Sequence, residues 1–241
     1  MRLDKAVTLS GLTRAEAKKA IAAGRVTAGG ATARDPGMHV EPEAVMLDGA
    51  PIAAPGPLYI MVHKPAGVLT ATEDRRLPTV ADLLPPALRR REPGPVGRLD
   101  RDVTGLVLMT TDGQLAHRLI SPKWKAEKVY RACCEGRLTD ADARKFAGGI
   151  ELSDFTARPA RLDILAADDA QSLADVTLTE GKFHQVKRMF AAVGHPLIAL
   201  ERRRIGTLQL DDALPPGGWR LLTDAEAAAL LSLVDLDPTA R

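Results

Sequence analysis

Apolar positions in the first 24 residues recur at helical spacing: Leu3, Ala6 and Val7, a break at Ser10-Gly11, then Ala15, Ala17, Ala20 and Ile21 up to Gly24. The pattern predicts two short helices. Thr13 followed by Glu16 fits a capping box, in which hydroxyl and carboxylate satisfy the free amides of a helix start, so the second helix is expected to begin at Arg14. Arg25-Val26-Thr27, and a further extended run after Ala28-Gly29-Gly30 with a turn at Asp35-Pro36-Gly37, predict small strands. Together these make a small α/β domain over residues 1 to 50. Residues 51 to 57, Pro-Ile-Ala-Ala-Pro-Gly-Pro, resist regular structure and predict a linker.

Beyond it, short apolar runs at 58 to 62, 106 to 109, 129 to 133 and 175 to 178 predict strands, and patterned stretches at 112 to 119, 140 to 146, 185 to 193 and 224 to 234 predict helices. The two kinds mix without strict β–α alternation. The expectation is therefore an α+β domain over 58 to 235 rather than a doubly wound one. No internal repeat is evident.

Composition adds little: 45% apolar and 27% charged residues are ordinary for a soluble globular chain of 241 residues. A net charge of +2 does not announce a nucleic-acid partner, so local charge has to carry that inference. Through residue 25, Arg2, Lys5, Arg14, Lys18, Lys19 and Arg25 face only Asp4 and Glu16. Such an excess suits either a solvated helix face or helices that grip phosphates. With four Phe, two Trp and two Tyr, RNA binding by rows of stacked bases is not expected. The adjacent Cys133 and Cys134 lack zinc-site spacing and fit a reducing cytosol. Absence of an apolar run near the roughly 18 residues of a membrane helix, and of a leader pattern at the start, predicts a cytoplasmic protein without membrane attachment.

Two segments concentrate chemistry. In Gly97-Arg98-Leu99-Asp100-Arg101-Asp102-Val103-Thr104-Gly105, a carboxylate precedes a Thr-Gly turn and a buried strand, where it either faces a cleft or caps loop amides. In Glu180-Gly181-Lys182-Phe183-His184-Gln185-Val186-Lys187-Arg188, a glycine precedes a basic amphipathic helix whose start favours anions. Arg202-Arg203-Arg204, offset only by Glu201, reads as a second RNA face or a surface charge cluster. His184 and His195 are eleven apart, a poor metal spacing, so neither is expected to be a ligand.

Gly97-Arg98-Leu99-Asp100 followed by Thr104-Gly105-Leu106 resembles the signature of the ribosomal pseudouridine synthases of the RsuA type. His63-Lys64-Pro65-Ala66-Gly67, Glu127-Lys128-Val129-Tyr130 and the stretch from Gly181 to Phe190 agree in order, and the likeness runs from Leu3 to about Leu230. Residues 1 to 50, through Arg2-Leu3-Asp4-Lys5 and 15 to 26, are similar to the small RNA-binding domain named after a small-subunit ribosomal protein. His63 stands where Asn often precedes Lys-Pro, and Val103 where a second Thr is common.

The resemblance implies a pseudouridine synthase domain with a mixed, largely antiparallel sheet, and assigns Asp100 as the catalytic carboxylate, Tyr130 as the aromatic packed against the target base, Lys187 as the basic partner of the aspartate and Val186 as an apolar wall. RNA contacts are expected from the six N-terminal cations and from Arg98, Arg101, Lys182 and Arg188, with Arg101 able to hold phosphate or to stabilise ionised Asp100. The reaction transfers no outside group and changes no oxidation state, so neither cofactor nor metal is expected. The expected partner is small-subunit ribosomal RNA, as an assembly intermediate with ribosomal proteins, met by a monomer. Ser121-Pro122-Lys123, Gly148-Gly149-Ile150 and an end without a basic tail favour that branch. Large-subunit RNA and a non-catalytic assembly factor are the competing readings.

Overall fold

The computed structural model describes residues 1 to 52 and 56 to 238. The chain divides into two compact units, Met1–Gly56 and Pro57–Arg241. In the first, α1 (Leu3–Thr8) and α2 (Arg14–Ala22) pack with strands β1 (Val26–Ala28), β2 (Ala31–Thr32), β3 (Val45–Leu47) and β4 (Ala50–Pro51), ordered β2-β1-β3-β4. The capping box forms as expected: the Thr13 hydroxyl accepts from the Glu16 amide while the Glu16 carboxylate accepts from the Thr13 amide. Leu3, Ala6, Val7, Ala17, Ala20 and Ile21, the predicted apolar stripe apart from Ala15, are buried. Of the stretch expected as a linker, Pro51 pairs with Met46 and Ile52 is buried in this unit's core, while residues 53 to 55 lie outside the described residues.

In the second unit, β5 (Tyr59–Lys64) leads through α3 (Pro86–Arg89) and β6 (Gly94–Pro95) to β7 (Thr104–Thr110), α4 (Gly113–Ile120), β8 (Lys128–Glu135) and α5 (Asp140–Gly148). Then follow β9 (Arg161–Ala167), β10 (Gln171–Leu178), α6 (Gln185–Ala192), β11 (Leu197–Ile205), β12 (Leu208–Gln209), β13 (Trp219–Leu221) and α7 (Asp224–Leu233). The sheet runs β13-β5-β7-β11-β8-β10-β9, with β6 and β12 added at β7 and β11. The sheet is mixed and mostly antiparallel: β7 and β11 run parallel, through Glu201↔Thr104 and Arg202↔Gly105.

Burial on both faces explains why β5 and β7 read as unbroken apolar runs. Val107 and Met109 join Phe146 of α5 and Met189 and Phe190 of α6 in one core. Leu106 and Leu108 point the other way, into a core with Leu115 and Leu119 of α4 and Leu230 and Leu231 of α7. Phe146 and Phe190 meet edge to face at 5.1 Å, which locks α5 to α6 and so fixes the helix that carries Lys187.

The triple arginine corrects one expectation. Rather than an open RNA face, Arg202-Arg203-Arg204 forms the end of β11: Arg202 is buried, Arg203 pairs with Glu201 and Asp212, and Arg204 with Glu127. A run of charge gave no sign of strand, because alternation of one buried and two paired arginines looks the same in sequence as a solvated cluster.

Candidate active site

The loop before β7 is tied down from below, and those ties place Asp100. Buried Thr70 accepts from the Leu99 amide at 3.1 Å and donates to the Leu99 carbonyl at 2.8 Å. The Lys64 ammonium, at the end of β5 and with no exposed surface, donates to the carbonyls of Pro65, Arg101 and Val103 at 2.9, 3.0 and 2.7 Å. The Gly67 amide donates to the Arg101 carbonyl as well. Residues 99, 101 and 103 are thus held by their main chain, and Asp100 projects between them.

Opposite, the turn from β10 into α6 brings His184 and Lys187. Buried Gln185 holds that turn: its Oε1 accepts from the Lys182 amide, and its Nε2 donates to Glu180. His184 occupies the left-handed region at φ 50°, a conformation that local bonding has to enforce. Its Nε2 comes within 3.4 Å of Asp100 Oδ1, and Lys187 Nζ within 3.2 Å of Asp100 Oδ2. Lys187 also donates to both oxygens of Asp102, at 2.7 and 2.8 Å.

These groups line a cleft floored by Leu99, Val103, Leu178, Val186 and Leu200, with Tyr130 of β8 on its wall and Arg98 and Lys182 at its rim. Burial pulls the Lys187 ammonium downward, but the Asp102 and Asp100 carboxylates outweigh it and hold the group above its usual range. The Lys187 hydrogen bond in turn keeps Asp102 below the carboxylate range, against burial. Burial pushes Lys64 down to about 8, opposed by the charges of Asp102 and Asp100.

A carboxylate flanked by an ammonium and an imidazole above an apolar floor, with a tyrosine ring beside it, is built to hold a flat heterocycle against one oxyanion. The structure brings Asp100, Tyr130, Lys187, Arg98 and Lys182 together. Arg188, the residue after Lys187 on α6, does not line the cleft; it is paired with Asp154 and bonded to Ser153, and both it and Lys182 lie over the Phe155 ring, at 5.1 and 3.7 Å. Arg101 does not line the cleft; it is exposed, and its carbonyl serves the Lys64 cluster. In the first unit, Arg2 and Arg14 each pair with the fully buried Asp4 at 3.1 Å, Arg25 pairs with Asp48, and Lys5, Lys18 and Lys19 are exposed.

Sequence reasoning missed His184 and Asp102 as neighbours of Asp100, and Thr70 as a loop anchor. Lys64 stood in a recognised block without a role. No signal marks Thr70, since a buried hydroxyl serving a loop 29 residues away leaves no local pattern. Among the described residues no group of three or more His, Cys, Asp or Glu is placed to hold a metal ion, and no helix is long and apolar enough to cross a membrane.

Residues 58 to 192 match the family model described as RNA pseudouridylate synthase. The chain belongs to that family. Residues 1 to 45 match the S4 domain. The chain is 42% identical over 239 residues to the ribosomal small subunit pseudouridine synthase A of Escherichia coli, covering 96% of this chain and all of that one. It is 42% identical over 230 residues to an uncharacterized RNA pseudouridine synthase of Bacillus subtilis, covering 94% and 96%. A crystal structure of a pseudouridylate synthase superposes with a TM-score of 0.67 at 34% identity, covering 95% of this chain and 99% of that one.

For this synthase the Lys64 cluster makes a prediction. Lys64→Met removes the ammonium from the Pro65 and Val103 carbonyls and leaves the Arg101 carbonyl with the Gly67 amide alone; the expected outcome is a displacement of Asp100 of order 1 Å and a kcat lowered about a hundredfold. The pH dependence has a definite sign. Because the folded pKa of about 8 lies below the unfolded 10.5, the unfolded chain binds more protons between these values, and the contribution of this group to stability rises with pH there. Melting temperature measured from pH 8 to 10.5 should rise less in Lys64→Met than in wild type; parallel curves would refute the assignment.

Proposed function

We propose that this synthase isomerises a uridine of small-subunit ribosomal RNA to pseudouridine, with Asp100 as the catalytic carboxylate. The observation that carries the chemistry is the placement of Asp100 within 3.2 Å of Lys187 and 3.4 Å of His184, at the mouth of a cleft walled by Tyr130. The substrate assignment rests on likeness along nearly the full length to small-subunit enzymes.

The reaction breaks the bond from ribose C1′ to uracil N1, turns the ring, and joins C1′ to C5; the C5 proton leaves and N1 gains one. A carboxylate serves as nucleophile or as the base that takes the ribose 2′ proton, and both roles need it charged. Lys187 is the counter-ion, held in place by Asp102. Extracting the uracil from its stack costs a few kcal/mol, which contact with Tyr130 and the apolar floor offsets. Phe183, 76% exposed and stacked on His184 at 3.8 Å, offers a further face to a neighbouring base.

The N-terminal unit, through Lys5, Lys18, Lys19 and the paired arginines, binds RNA and, being on the same chain as the cleft, raises the local concentration of the target. An assembly intermediate of the small subunit, acted on by a monomer in the cytoplasm, is the form of substrate and enzyme we favour. The test is to incubate the protein with small-subunit RNA, free and as a protein-bound particle, and with large-subunit RNA, then map pseudouridine chemically. One new site in small-subunit RNA supports the reading. A site in large-subunit RNA reassigns the substrate, and tight binding with no modification of either sinks the enzymatic role.

A further inference from the structure

A second pocket opens beside the cleft and shares Arg98, Tyr130 and Gly181 with it; its other charged linings are Lys128 and Arg202, and among the described residues no carboxylate lines it. Arg202 is 2% exposed. Its Nε donates to the Leu106 carbonyl at 2.8 Å, but its Nη2 is buried without a partner. Buried polar groups in folded proteins are almost always satisfied, and an orphan of this kind asks for a missing acceptor. Lys128 is the neighbouring cation. Its ammonium donates to the Leu119 carbonyl at 3.3 Å, and burial, then the charge of Arg202, drives it toward the neutral form. Two cations pressed together in a partly dry pocket, one with an unused donor, form a site that an anion completes.

We infer that this pocket binds a phosphate oxygen of the RNA strand that carries the target, on a linkage next to the extracted nucleotide, through Arg202 Nη2 and Lys128 Nζ. The inference rests on the functional reading above and adds to it a subsite that fixes the strand. The choice of a phosphodiester follows from the shared wall: Tyr130 and Arg98 border both cavities, so a strand that delivers its base to one carries backbone past the other.

The test uses Lys128→Gln, which keeps an N–H for the Leu119 carbonyl, with Arg202 intact. Its probe is the small-subunit RNA segment containing the mapped site, synthesised with a neutral methylphosphonate at each linkage around the target in turn. Lys128→Gln should raise the Kd about tenfold at low salt and reduce the slope of log affinity against log salt by about 0.7, the loss of one contact on a single strand. One methylphosphonate position should cost wild type the same factor and cost the variant almost nothing. If every linkage costs both proteins equally while modification proceeds, the subsite is refuted and the functional reading stands. If inorganic phosphate binds wild type but not the variant and no linkage matters, the pocket holds a free anion and the RNA assignment falls. Failure of wild type to bind the RNA at all overturns the functional reading and this inference together.

Discussion

Asp100→Asn protein should bind small-subunit RNA as wild type does and form no measurable pseudouridine, a loss of roughly four orders of magnitude or more, as for other enzymes stripped of a reacting group. The substitution preserves shape and removes charge. It should fold normally, because Lys187 keeps both bonds to Asp102 and the Lys64 and Thr70 ties reach only the main chain of residues 99, 101 and 103. Rate measured under single-turnover conditions, with the Kd determined separately, isolates the chemical step. Retention of more than a tenth of the activity would remove Asp100 from the reaction.

The largest effect on stability is expected at Gly105. Its φ is +103°, and a Cβ there would lie 2.3 Å from the Arg202 carbonyl oxygen and 2.6 Å from the Arg202 amide nitrogen. The obstacle is backbone of β11 and cannot swing aside. Gly105→Ala therefore combines overpacking, about 1 to 3 kcal/mol, with left-handed strain of about the same size. For a protein of this length a loss of that order lowers the melting temperature by about 10 °C. A shift under about 2 °C would mean that the parallel contact between β7 and β11 can open at little cost. Gly67→Ala is the control: it too has positive φ, but nothing within 4 Å would meet its Cβ, so strain acts there alone.

Most of the fold was legible because its signals are local. The capping box at Thr13 and Glu16 set the start of α2, the run at 58 to 62 overlaps β5 from Tyr59 on, and the run at 106 to 109 lies inside β7. β9 and β11 were missed for a physical reason. β9 reads Arg-Leu-Asp-Ile-Leu-Ala-Ala, with only Leu162 well buried, and β11 carries three arginines before Ile205, two of which, Arg202 and Arg204, find partners far away in sequence at Leu106 and Glu127. The candidate site divides in the same way. Asp100, Tyr130 and Lys187 stand in recognisable blocks and do meet at one cleft. The second carboxylate on Lys187, the imidazole on Asp100 and the hydroxyl beneath Leu99 belong to tertiary structure, which one sequence does not display.

The Lys64 cluster has a consequence for how this enzyme can diverge. All three of its acceptors are main-chain carbonyls, so the geometry of Asp100 does not depend on which side chains stand at 65, 101 or 103. Val103, in a place where the family often has threonine, fits that freedom: it contributes an apolar floor while its carbonyl still meets the ammonium. The rim of the cleft can therefore exchange its side chains while the Asp100 carboxylate stays where it is.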